Sequence, residues 1–135
     1  MIRGYFHEGR PFSDGLLRVF SDQLGGVRFL VDTGADNTTL HPVDYRAMGL
    51  RFASLDDFPE ASPLGVGGRA RYKRVPSHLF LRHDVGHFDR VRIDVLIARP
   101  DAWTRRLPSL LGRDVLDLYV LVVNRRHQRL TLDYA

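Results

Sequence analysis

Asp32 is the residue best placed to do chemistry. It follows three apolar residues in the run Phe29-Leu30-Val31-Asp32-Thr33-Gly34-Ala35. Asp is disfavoured inside strands and seldom buried without partners. A carboxylate delivered by a buried strand therefore needs hydrogen bonds around it. Thr33 and Gly34 supply them, Gly34 by letting the backbone approach the acid closely. The plain alternative is a β-turn with an Asp–backbone bond. His83-Asp84 and His87-Phe88-Asp89 contain metal-binding residue types. They flank a turn expected at Gly86 rather than one helix face, so their spacing does not aim both rings at one point. Ser21 and Ser109 lack the His and Asp pattern of a triad. Residues 65–68 lack the Gly-Lys-Ser/Thr of a phosphate cradle. With no cysteine in the chain, disulfides, thiol catalysis and thiolate metal sites are excluded.

The elements that must position Asp32 read as short strands. Gly, Pro, Asp and Ser divide the chain into many β-prone runs, the pattern of an all-β barrel or sandwich. Residues 1–6 are predicted to form an edge strand, 8–14 a turn region and 15–21 a strand. Residues 22–26, with Gly25-Gly26, read as a hairpin connection. Residues 27–31 place Val27, Phe29 and Val31 on one face and deliver Asp32. Residues 42–48 read as a short helix with Pro42 at its start and Gly49 at its exit. Residues 51–61 read as loop and 63–70 as a hairpin with a glycine-rich tip. Residues 88–97 alternate strongly, as in a half-buried strand. Leu110-Leu111-Gly112-Arg113-Asp114-Val115-Leu116 reads as a strand end, a glycine and a short helix. Residues 119–123 form a continuous apolar strand, and 130–134 a final one.

At 135 residues the chain is predicted to be a single domain, residues 1–135, large enough to bury a core unaided. No apolar run approaches the length of a membrane span. Residues 1–6 lack an apolar signal core, so the expected compartment is the cytoplasm and no membrane partner is expected. The net charge is +4, and Lys73 is the only lysine among the cations. The arginines are scattered and interleaved with acids, so no nucleic-acid partner is expected.

Val31-Asp32-Thr33-Gly34-Ala35 resembles the active-site signature of the retropepsin-like (retroviral-type, clan AA) aspartic proteases. The resemblance implies an all-β fold: a closed acid-protease barrel with one or two short helices and a β-hairpin flap. It implies an aspartic endopeptidase with Asp32 as catalytic acid/base and Thr33, Gly34 and Ala35 completing the loop. Leu110-Leu111-Gly112-Arg113-Asp114 resembles the family segment in which two apolar residues and a glycine precede an Arg and a short helix. By that resemblance this strand end lies beside the active-site loop, and Arg113 pairs with Asp36 to brace it. Gly65, Val66, Gly67 and Gly68 correspond to the flap, although the family's common isoleucines are missing and Arg69 sits near the tip. Leu130, Thr131, Leu132, Asp133 and Tyr134 correspond to the terminal strand that in retropepsins adds to the partner's sheet. No metal and no organic cofactor is implied.

Aspartic protease chemistry uses two carboxylates that share one proton, because two neighbouring acids cannot both ionise cheaply. This chain has one Asp-Thr-Gly. Ser13-Asp14-Gly15 reads as a turn and has the wrong order. The expected active form is therefore a homodimer in which each chain contributes Asp32 across a two-fold axis. Its substrate is a peptide or protein. The alternative is a non-catalytic peptide-binding or dimerisation domain on the same fold. A basic nucleic-acid module is a third, minor reading.

Overall fold

The computed structural model describes residues 1–19, 23–62 and 71–135. In chain order its strands are β1 (Ile2–Arg3), β2 (Tyr5–His7), β3 (Arg10–Val19), β4 (Gln23–Val31), β5 (Thr39–Leu40), β6 (Glu60–Ala61), β7 (Tyr72–Arg82), β8 (Phe88–Ala98), β9 (Ser109–Leu111), β10 (Tyr119–Asn124) and β11 (Arg129–Tyr134). Helix α1 spans Pro42–Tyr45 and α2 spans Arg113–Leu116, with 3-10 turns at Phe52–Leu55 and Thr104–Arg106.

Period-two alternation builds the barrel. Leu17, Val19, Val27, Phe29, Val31, Val75, Leu79, Leu81, Val95 and Ile97 all face inward and are buried. Burial of each such side chain contributes about 1.5–3 kcal/mol. The strand order β3-β4-β9-β5-β8-β7 closes when β7 pairs again with β3, for example Leu17 with Leu79, giving a closed six-stranded barrel. Two of its pairings are parallel: β9 lies beside β4 and β5 beside β8. A second, three-stranded sheet has the order β1-β11-β10.

Several expectations change. Val19 pairs with Gln23, so the β3–β4 connection falls at residues 20–22, outside the described residues together with Ser21. Gly25 and Gly26 lie inside β4. Gly25 serves close packing rather than turning, since a Cβ there would stand 2.2 Å from Met48 Cγ. The turn expected over residues 8–14 is confined to Glu8 and Gly9, at positive φ. Ser13, Asp14 and Gly15 are in β3, not in a turn. Residues 51–61 are not all loop, since they hold a 3-10 turn and β6. Helix α1 stops at Tyr45, and the chain turns on to Gly49 at φ 77°. The apolar strand expected over residues 119–123 is β10, and its Val120, Val122 and Val123 are exposed at the edge of the small sheet.

Cross-strand register also gathers arginines that are far apart in sequence. Arg18 pairs with His78 and His78 with Arg92, while Phe80 pairs with Arg90. Partial burial and these three guanidiniums hold His78 below its ordinary pKa. Among the described residues no helix is long and apolar enough to cross a membrane.

Candidate active site

Strand β4 ends at Val31, and the next N–H, that of Asp32, donates to Leu111 O at 3.1 Å. That bond extends the parallel β4–β9 pairing by one residue, so Asp32 leaves the sheet where β9 also ends. The Ala35 N–H then donates to Asp32 O at 3.2 Å, and the Gly34 N–H to Asp32 Oδ1 at 2.9 Å. A Cβ at residue 34 would stand 3.2 Å from that same oxygen, tighter than ordinary contact. The Asp32 side is half-buried, and Thr33 and Gly34 are exposed.

What separates this turn from an ordinary β-turn is the support behind it. The Arg113 N–H donates to Ala35 O at 2.8 Å and the Asp114 N–H to Asp36 O at 3.2 Å. The Arg113 guanidinium forms an ion pair with the Asp36 carboxylate. Both side chains are substantially exposed, and exposed pairs contribute about 0–1 kcal/mol. Asp114 is the stronger brace. Its carboxylate accepts the Thr38 N–H, 3.0 Å from each oxygen, and the Thr38 hydroxyl at 2.7 Å. Thr38 Oγ1 in turn accepts the Gly112 N–H at 3.2 Å. Hydrogen bonds to a charged group contribute about 1.5–3 kcal/mol each, and Thr38 is wholly buried. Gly112 allows the two loops to meet: a Cβ there would stand 2.5 Å from the Asn37 carbonyl carbon and 2.6 Å from its oxygen.

Sequence reasoning missed Thr38, Gly112 and Asp114 as supports. Asp114 carries a local signal, an acid in the first turn of α2. Its partner lies 76 residues away, and nothing in the sequence marks it.

Under β5, Ser109 is wholly buried, and its hydroxyl donates to Asp44 Oδ2 at 2.5 Å while accepting the His41 backbone N–H at 3.0 Å. Its partners are thus a carboxylate and a backbone amide rather than an imidazole. Burial raises the Asp44 carboxyl above its ordinary pKa, against the bonds from Ser109. The His41 ring meets the Tyr72 hydroxyl at 2.9 Å, and burial pushes His41 down to about 4.

The expected flap residues Gly65, Val66, Gly67 and Gly68 lie outside the described residues. The strands on either side pair antiparallel, Ala61 with Tyr72 and Glu60 with Lys73. In the C-terminal stretch, Leu130, Thr131 and Leu132 are buried. Strand β11 is the middle strand of its sheet, and β1 and β10 occupy both its edges. The free edges of that sheet belong to β1 and β10.

The expectation that His83 and His87 do not aim at one point is overturned. Their rings stack with centroids 4.1 Å apart, and donor atoms of His83, His87 and Asp89 all lie within 4.8 Å of one another. The β7–β8 turn does this by returning the chain so tightly that the His83 N–H donates to His87 O at 2.8 Å.

A closed barrel in which a strand ending in Asp-Thr-Gly is backed by a parallel strand and a short helix is the retropepsin-like arrangement. The crystal structure of a retropepsin-like aspartic protease from Rickettsia conorii matches this chain with a TM-score of 0.60 at 20% identity, covering 99% of this chain and 89% of that one. EIAV protease, complexed with an inhibitor, matches with a TM-score of 0.47 at 21% identity, covering 84% of this chain and 90% of that one. No family model matches the sequence, and no curated protein matches it significantly. The chain has the retropepsin-like fold.

Proposed function

We propose that this single-domain chain is an aspartic endopeptidase, active as a homodimer on peptide or protein substrates. The observation that carries the reading is Asp32 itself. Its carboxylate stands at the end of two parallel strands, held by the Gly34 N–H, with Thr33 and Gly34 exposed beside it. One chain offers one such carboxylate, and the reaction uses two.

In the dimer the two Asp32 carboxyls share one proton, since two acids this close cannot both ionise cheaply. The ionised one takes a proton from a water molecule as its oxygen attacks the scissile carbonyl carbon. The neutral one donates a hydrogen bond to the carbonyl oxygen and stabilises the charge that develops there. Collapse of the tetrahedral intermediate breaks the C–N bond, and the departing nitrogen receives a proton from the carboxyl pair. Thr33, exposed at the same turn, bonds across the two-fold axis, and residues 65–68 cover the substrate. The Asp36–Arg113 pair and the Asp114–Thr38 contact keep the turn in place.

Cleavage of a peptide library by wild type and Asp32→Asn tests the proposal. Wild type is expected to cut, and the variant to lose cleavage by a factor of about 1,000 or more, as general acid–base groups and the water they orient are removed together. If neither protein cuts at any concentration or pH, the non-catalytic binding domain replaces this reading.

A further inference from the structure

We infer that His83, His87, Asp89 and Tyr134 form a binding site for a divalent transition-metal ion, with zinc the best fit. The sequence brings three of the four together locally. Gly86, at φ 98°, turns the chain between β7 and β8, and the Gly86 N–H donates to His83 O at 3.0 Å. His87 and Asp89 are two residues apart on an extended chain, so they point the same way. Tyr134 arrives from β11.

The Tyr134 hydroxyl lies 2.9 Å from His83 Nε2, 3.3 Å from His87 Nε2 and 2.9 Å from Asp89 Oδ1. His83 Nε2 is 3.0 Å from Asp89 Oδ2. A tetrahedral zinc with bonds of about 2.0–2.1 Å sets its donor atoms roughly 3.3 Å apart. With Asp89 Oδ1 as the carboxylate donor, the Tyr134 hydroxyl already lies near that spacing from all three other donors, and ligand atoms of His83, His87 and Asp89 lie within 4.8 Å of one another, so an ion enters with small side-chain shifts. Two imidazoles with oxygen donors in a four-fold arrangement favour zinc over magnesium or calcium, which take more oxygens.

The surroundings are those of a built site. His83 is 2% exposed and fixed, while His87 is exposed and leaves a path of entry. The Tyr119 hydroxyl donates to Asp89 Oδ2 at 2.8 Å, the kind of outer hydrogen bond that orients a ligating carboxylate. Binding releases the phenol proton of Tyr134 and any proton on the imidazoles. The ion joins the β7–β8 turn to the C-terminal strand. An effect on dimer assembly rests on the proposed function, but binding to one chain does not.

The test is calorimetric titration of chelator-treated protein with zinc chloride, using wild type, His87→Ala and Tyr134→Phe. His87 is exposed, and the Tyr134 change deletes one oxygen, so both variants fold; metal-free melting curves verify this. Wild type is expected to take one zinc per chain and to melt higher with zinc than without. Each variant is expected to bind at least about tenfold more weakly. A tyrosinate band is expected in the zinc difference spectrum of wild type and not of Tyr134→Phe. Equal affinity in wild type and either variant overturns the assignment. So does a wild type that binds no zinc, which leaves the cluster a hydrogen-bond network that ties Tyr134 down.

Discussion

A carboxylate that accepts both donors of a buried threonine holds a loop differently from one that faces an exposed guanidinium. Asp114 is the first kind and Asp36 the second. Both depend on the approach of residues 35–37 to Gly112, where only a hydrogen fits against the Asn37 carbonyl. The obstacle is backbone, which cannot rotate away as a side-chain tip does. Gly112→Ala is therefore expected to destabilise the fold by about 2 kcal/mol or more, roughly 5–10 °C in melting temperature for a domain this size. Cleavage is expected to fall further than stability alone accounts for, because the displaced loop carries Asp32. Melting curves and peptide cleavage on one sample check both; an unchanged melting temperature with full cleavage refutes the steric argument. Asp32-Thr33-Gly34 was legible because its meaning is local, an apolar run followed by an acid and a glycine. The Thr38–Asp114 contact was not, because neither residue announces a partner 76 positions away.

At the scale of elements, the β5–α1 junction buries His41 with its ring against Tyr72, the first residue of β7. Burial lowers His41 from 6.5 to about 4. The unfolded chain thus binds this proton before the folded one does, and stability rises with pH between about 4 and 6.5. Acidification across that window is expected to cost about 3 kcal/mol from this group, at about 1.4 kcal/mol per pKa unit. Denaturant unfolding of wild type and His41→Gln across the window isolates the term, since Gln keeps a hydrogen-bonding group for Tyr72 but does not titrate. The variant is expected to lose stability less steeply on acidification; parallel curves refute the assignment. The strand that delivers Asp32 was readable from the alternation of Val27, Phe29 and Val31. The glycine pair before it was not, because Gly25 answers to Met48, a packing neighbour supplied by a later segment. Turn chemistry and close packing select the same residue.

At the scale of the molecule, barrel closure was legible as a class from many short strands, but which strands meet was not. Parallel pairings such as β4 with β9 join residues about 80 positions apart, and no hairpin signal records them. Closure also turns scattered arginines into neighbours, as Arg18, His78 and Arg92 illustrate. The proposed dimer belongs to this scale. Strand β11 is paired on both sides within the chain, so the edge left for a second copy includes β10. There Val120 is 51% and Val122 47% exposed. A long apolar edge is a liability unless something covers it, and in the proposed dimer a second copy covers it. Covering the exposed half of each valine contributes about 1 kcal/mol. Val120→Lys combined with Val122→Lys removes this contribution four times, twice from each chain of a symmetric dimer, and is therefore expected to raise the dimer dissociation constant about 700-fold, before any repulsion between the added charges. Sedimentation measures the assembly, and turnover measured against protein concentration supplies an independent reading. Wild-type activity per chain is expected to fall on dilution, and that of the double variant to fall at a higher concentration and recover as protein is added. If the two proteins sediment alike and turn over alike at every concentration, β10 is not the contact, and the two-fold arrangement of Asp32 has to be built through another surface.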